Sequence, residues 1–188
     1  AQKAKSVVGL DINDKYLQKA KECYQRDNLQ FIKADLNADL GLASYNISAI
    51  VSFETIEHTP KPFDVIKKFY DILPSGGRLI LSFPNAKNEM LDENGKSLDS
   101  FHLSVIEFNE MLDYLNNIGF RINYTLGQSF INQLIAKVAE IETDLSVNIE
   151  NLCNYSNKSI IQQSRILAYP SDIDIENSYS FIFDLTKK

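Results

Sequence analysis

Apolar and polar positions along the chain recur in the order strand, acidic tip, helix. Ser6–Leu10 (SVVGL) is a short β-branched run ending at Asp11, after which Asn13 or Asp14 can cap a helix with Leu17, Ala20 and Tyr24 on one face. Leu29–Ile32 repeats the strand, and Asp35 closes it as Asp11 closes the first. A third run, Ile47, Ala49, Ile50 and Val51, has the character of a strand buried on both faces of a parallel sheet. Ser52, Glu54, Glu57 and His58 follow its C-terminal end. Pro60 and Pro62 suit the first turn of a helix whose apolar face is Phe63, Ile66, Phe69 or Tyr70, and Leu73. Pro74-Ser75-Gly76-Gly77 stops that helix, and Leu79, Ile80, Leu81 and Phe83 begin another buried strand. The stretch Ile47–Asn85 is thus a βαβ unit.

Beyond it, the polar loop Ala86–Ser100 is long enough to be functional by length alone. Ser104 and Glu107 form a capping box for a helix carrying Phe108, Met111, Leu112, Leu115 and Ile118, which Gly119 ends. Phe120–Leu126 alternates as a strand, and Phe130, Ile131, Leu134, Ile135, Val138 and Ile141 have the spacing of an amphipathic helix. From Glu142 to Asn177 two or three short helices fit, with an extended piece starting at Tyr169-Pro170. Ser178–Leu185 alternates most clearly, with Tyr179, Phe181, Phe183 and Leu185 on one face.

These elements predict a doubly wound α/β fold with a mostly parallel sheet. In such a sheet Asp11 and Asp35 stand at the C-terminal tips of neighbouring strands and share one edge, where open α/β sheets bind ligands. A chain of 188 residues suits one domain, divided here into a core at 1–126, an insertion or acceptor-side cover at 127–177 that is equally readable as a dimer contact, and a final strand at 178–188. Its 44% hydrophobic and 23% charged residues are those of a globular protein. A net charge of −6 without a basic cluster argues against nucleic acid as partner. Cys23 and Cys153 stand apart without metal-ligand spacing, no metal set is read, and free thiols in a reducing compartment follow. No apolar run reaches the ~18 residues of a membrane span, and no signal segment opens at Ala1, so the cytoplasm is the expected location.

The order strand, FETIEH, helix with Phe63 and Tyr70, L-x-x-G-G, and strand ending in Pro84-Asn85 resembles the second half of the core of class I S-adenosylmethionine-dependent methyltransferases. The resemblance is nearest to small-molecule O-methyltransferases of the ubiquinone-biosynthesis type, and spans about Ser6 to Phe120. It implies that Asp11, with Ile12 beside it, accepts from the cofactor's ribose hydroxyls, a role suited to a carboxylate because it takes two donors at once. Asp35 would accept from the adenine amino group, with Leu36 against the ring. Phe53 and Glu54 would flank the methionine portion and sulfonium. Glu57, His58, Asn85 and His102 would face the acceptor, with His58 as general base, its ordinary pKa of about 6.5 being suited to a hydroxyl proton near neutral pH. Ser48 stands where the family usually has Asp, and the late strand fits the family's antiparallel insertion.

The family's first strand and glycine-rich loop would precede Ser6 and are not in this sequence. In the family that strand lies centrally, between those ending at Asp11 and Ser52, so residues upstream of Ala1, or another segment filling the slot, are expected. The function implied is methyl transfer from S-adenosylmethionine to a hydroxyl, less readily an amine, of a small metabolite. Two alternatives stand beside it: a non-catalytic methyltransferase-like binding or regulatory protein, and an NAD-dependent oxidoreductase, whose ribose Asp11 would also suit.

Overall fold

The computed structural model describes residues 3–42, 44–130, 168–172 and 174–188. Beyond its first residue the helix expected from Phe130 to Ile141 lies outside them, as do Cys153 and most of the stretch Glu142–Asn177 read as short helices. The chain divides into two compact units, residues 1–46 and 47–188.

In the first unit, β1 (Val7–Asp11) and β2 (Leu29–Lys33) pair in parallel, from Val7 opposite Leu29 to Asp11 opposite Lys33. Helix α1 (Asp14–Cys23) connects them. Asn13 caps it, its side-chain oxygen accepting from Lys15 N at 2.9 Å. Leu17 is buried, but Tyr24 follows the last turn and is 65% exposed, so the apolar face is narrower than the spacing implied.

The second unit is a five-stranded sheet ordered β3-β4-β7-β5-β6, made of Ala49–Ser52, Arg78–Pro84, Ser180–Lys187, Phe120–Phe130 and Ala168–Ser171. Helix α2 (Pro62–Ile72) joins β3 to β4, which are parallel, and Pro62 occupies its first turn as expected. Strand β7 enters between β4 and β5 and is antiparallel to both, and β6 is antiparallel to β5. The antiparallel late strand is the one expected of this α/β fold, and together with β6 it makes the described sheet mixed. Among the described residues β1 pairs only with β2, and β3 only with β4.

Leu79, Leu81 and Phe83 of β4 lie opposite Leu185, Phe183 and Phe181 of β7, and all six are buried. Helix α3 (Phe108–Ile118) lays Phe108 against Phe181 and Phe183 at ring-centroid distances of 4.5 and 5.7 Å. Val65, Ile66 and Phe69 of α2 and Met111 and Leu115 of α3 complete the core.

Four local expectations are corrected. Val51 is 64% exposed rather than buried on both faces, since β3 is an edge strand of this sheet. Ser104 does not cap α3: its N–H donates to the Glu57 carbonyl, and Glu107 stands at the cap position without a side-chain bond. Strand β5 continues through Phe130, where helical spacing begins in the sequence, because β6 and β7 pair with its second half. Tyr179 precedes β7 and is 51% exposed. Among the described residues no helix is long and apolar enough to cross a membrane.

Gly119 ends α3 at φ 105°, and an added Cβ would lie 2.6 Å from the Tyr70 hydroxyl oxygen. Gly76 has φ 79° with nothing within 4 Å. Gly76→Ala is therefore expected to cost only the conformational penalty of about 1–2 kcal/mol, and Gly119→Ala clearly more. Urea unfolding of both variants checks this; equal losses would show that the tyrosine contact contributes nothing.

Candidate active site

Beyond Ser52 the chain turns sharply. Glu54 has φ 44°, a left-handed conformation uncommon outside glycine, and three bonds from neighbouring strands hold it. Its N–H donates to Ser82 Oγ at 3.0 Å; Ser82 Oγ donates back to its Oε1 at 2.7 Å; Ser180 Oγ donates to its Oε2 at 3.1 Å. Ser82 is on β4 and Ser180 on β7, both buried, so the tips of three strands meet on one carboxylate.

A single 3₁₀ turn, Ile56–His58, follows, with Ile56 and Glu57 buried. The Glu57 carbonyl accepts from Leu103 N at 2.8 Å and Ser104 N at 3.1 Å, which moors the loop ahead of α3. Its side chain, only 3% exposed, has no hydrogen-bond partner on either oxygen. His58 Nδ1 lies 2.8 Å from the Phe101 carbonyl. A carbonyl only accepts, so Nδ1 carries the proton and the neutral ring offers its lone pair at Nε2, 3.7 Å from Glu57 Oε1. The His102 ring sits 5.1 Å from that of His58, and its Nδ1 lies 2.7 Å from Glu89 Oε1. Glu57, His58 and His102 each present one atom able to bind a metal, all within 4.8 Å of one another. A carboxylate and two imidazoles are a donor set for a divalent cation.

Burial pushes the Glu57 carboxyl up to about 7; its own backbone N–H opposes the rise, the charge of Glu54 adds to it, and the two imidazoles oppose it. Burial prevails because neither carboxylate oxygen accepts a well-formed hydrogen bond.

Of the residues singled out in the sequence, the fold thus gathers Glu57, His58 and His102. Glu54 adjoins them but is engaged by serines, and Phe53 is 52% exposed. Asn85 is buried and serves the backbone instead. Its Nδ2 donates to the carbonyls of Glu176 and Ser178, and its Oδ1 accepts from Lys87 N, bracing the approach to β7. In the first unit Asp11 is the last residue of β1 and Asp35 lies just past β2, on one edge of the pair. One oxygen of each closes a local turn, Asp11 Oδ1 with Asn13 N at 2.8 Å and Asp35 Oδ1 with Asn37 N at 2.8 Å. Ile12 is 58% exposed and Leu36 half-buried.

Sequence reasoning missed Ser82, Ser180 and Glu89. Ser82 and Ser180 occupy polar positions in strand patterns that ordinarily signify solvent, and Glu89 lies in a loop without periodicity. The metal-capable set had a partial signal in E-x-x-E-H, but His102 is 44 residues from His58 and nothing in the spacing joins them.

A carboxyl that is neutral in the fold and ionised in the unfolded chain makes stability fall as pH rises from about 4.5 to about 7. In chelator-treated protein Glu57→Gln is expected to match the wild type near pH 4.5 and to be more stable at pH 8, by up to roughly 3 kcal/mol. Urea unfolding at the two pH values tests this; a variant equally or less stable at pH 8 contradicts it.

Residues 1–81 match the methyltransferase domain family. A probable S-adenosylmethionine-dependent methyltransferase of Mycolicibacterium smegmatis is 25% identical over 124 residues, covering 66% of this chain and 47% of that protein. The chain therefore spans about half the length of that relative. Among solved structures, an S-adenosylmethionine-dependent methyltransferase of Mesorhizobium loti superposes with TM-score 0.61 at 14% identity, covering 98% of this chain and 81% of that one. The cyclase SpnF superposes with TM-score 0.57 at 14% identity, covering 97% and 66%. The chain has the α/β fold of the S-adenosylmethionine-dependent methyltransferases, and its first 81 residues are similar to a methyltransferase domain.

Proposed function

We propose that this protein transfers the methyl group of S-adenosylmethionine to a hydroxyl, less readily an amine, of a small metabolite. The observation that carries the acceptor side is the meeting of Glu57, His58 and His102 just past β3, at the strand-tip edge where such folds hold ligands. In this reading Asp11 and Ile12 receive the ribose, Asp35 and Leu36 the adenine, and Phe53 and Glu54 the methionine portion. His58 Nε2 takes the hydroxyl proton as the acceptor oxygen bonds to the methyl carbon and the carbon–sulfur bond breaks, releasing S-adenosylhomocysteine. The Phe101 carbonyl keeps His58 in the tautomer this requires. Holding acceptor and methyl in line supplies most of the acceleration, up to about 7–11 kcal/mol in well-oriented cases. Asn85 is left out, since its amide is occupied by backbone.

One observation favours a second assignment for the same cluster. Glu57, with both carboxylate oxygens unpartnered, stands beside the Nε2 lone pair of neutral His58 and beside His102, and such a set is completed by a cation. Glu57, His58 and His102 would then hold a divalent ion that lowers the pKa of an acceptor hydroxyl. The fold also serves a cyclase, so the transfer itself requires direct measurement.

Calorimetric titration with S-adenosylhomocysteine, with NAD as control, is expected to show micromolar binding of the first only; no binding, or preference for NAD, overturns the proposal. His58→Ala should lower kcat/KM about 10²–10⁴-fold while leaving S-adenosylhomocysteine affinity unchanged, and undiminished turnover removes His58 from the chemistry. For the cation, Mg²⁺ or Mn²⁺ at pH 8 should raise the unfolding midpoint of the wild type but not of Glu57→Gln. A wild type that does not respond removes the ion.

A further inference from the structure

Loop 89–104 touches every member of the cluster. Leu103 and Ser104 donate their N–H groups to the Glu57 carbonyl, Phe101 supplies the carbonyl that fixes His58, and Glu89 meets His102. The loop is folded on itself as well. Asp92 Oδ1 accepts from Asn94 N at 2.8 Å and Lys96 N at 2.9 Å, Leu91 bridges Ser97, and Leu98 N donates to the Met90 carbonyl at 2.7 Å. That closure carries Ser97 back to Glu89, where its Oγ donates to Oε2 at 2.7 Å while His102 Nδ1 meets Oε1. Both side chains of the Glu89–His102 pair are largely buried, 12% and 16% exposed.

We infer that Glu89, steadied by Ser97, is the positioning residue that holds His102 as the Nδ1–H tautomer and so leaves a lone pair at Nε2, which lies 3.9 Å from the exposed Asp99 carboxylate, beyond hydrogen-bond distance. A carboxylate accepts from both the serine hydroxyl and the imidazole N–H, so neither bond competes with the other. Free imidazole side chains in water favour the opposite tautomer, with the proton on Nε2. The structure thus sets both histidines against their intrinsic preference, one by a carbonyl and the other by a carboxylate. The catalytic consequence rests on the methyltransferase assignment; the tautomer does not.

The chain contains two histidines, so long-range ¹H–¹⁵N correlation spectra at pH 8 resolve the matter with few signals. Expected are two Nδ1–H rings in the wild type, with His102 alone shifting toward Nε2–H in Glu89→Ala. Glu89→Gln, whose amide oxygen still accepts, should retain Nδ1–H. Alongside, kcat/KM should fall about 10–100-fold in Glu89→Ala and largely recover in Glu89→Gln. An Nε2–H ring at His102 in the wild type, or an unchanged spectrum in Glu89→Ala, overturns the inference, as does a shifted tautomer with undiminished kcat/KM. The spectra need no cofactor, so they decide the tautomer even if no methyl transfer is found. Should Glu89→Ala fail to fold, the wild-type spectrum and the loosened contact in Ser97→Ala, expected to show a mixture of tautomers at His102, take its place; a pure Nε2–H or a wholly unaltered Nδ1–H signal in that variant overturns the inference.

Discussion

The second unit depends on the last strand of the chain lying between two strands made long before it. β7 bonds to β4 on one side and β5 on the other, so the pairing of β4 with the rest of the sheet passes through Ser180–Lys187. Its buried Phe181, Phe183 and Leu185 each contribute roughly 1.5–3 kcal/mol of apolar burial, a large share of a domain's net stability. The outward positions hold the strand in register. Asp184 bonds Arg78 on β4 and Asn123 on β5, and Asn123 falls where the β5 pairing skips a residue, so its amide also reaches Thr186. The strand end is fastened too. Lys187 Nζ donates to the carbonyls of Tyr70 and Leu73, groups that the end of α2 would otherwise leave unpaired.

That same strand reaches the site. Ser180, the first residue of β7, bonds Glu54, and Glu54 is the left-handed residue that redirects the chain from β3 into the turn bearing Glu57 and His58. A non-glycine residue in that conformation costs about 1–3 kcal/mol and persists where the surroundings determine it. Here the serine bonds on both carboxylate oxygens and the backbone bond to Ser82 supply that determination. Packing and loop geometry are therefore coupled through one side chain, since Ser180 of β7 supplies one of the bonds that hold Glu54.

Strands and helices are legible in the sequence because their period is local. Leu79, Leu81 and Phe83 alternate, Ile66, Phe69 and Leu73 recur at helical spacing, and Pro62 marks a helix start, whatever the rest of the chain does. Pairing partners are not local. Nothing in Ser178–Leu185 states that the strand lies between β4 and β5, and resemblance rather than alternation anticipates its antiparallel place. The capping box at Ser104 fails for a related reason: the motif competes with tertiary partners, and the Glu57 carbonyl offers one. Half of the site is readable, since Glu57 and His58 follow a strand tip. His102 is reached only by resemblance and without its partner, because Glu89 lies 13 residues earlier in a loop whose fold is set by Asp92 and Ser97 rather than by any periodicity.

Glu57 shows why the cluster's electrostatics turn on what joins it. A charged imidazole about 4 Å from a carboxylate is worth about 4 kcal/mol at an effective dielectric constant near 20, comparable to the cost of the carboxylate's burial. Yet neither His58 nor His102 donates a hydrogen bond to the Glu57 carboxylate, so neither replaces the solvation that burial removes. A divalent ion carries twice the charge and does not titrate. Bound at this cluster, it would ionise Glu57 throughout the neutral range and exchange a dependence on pH for a dependence on the ion. The burial that makes Glu57 unfavourable as a lone carboxylate is what would make it a strong ligand, because no water competes for its oxygens.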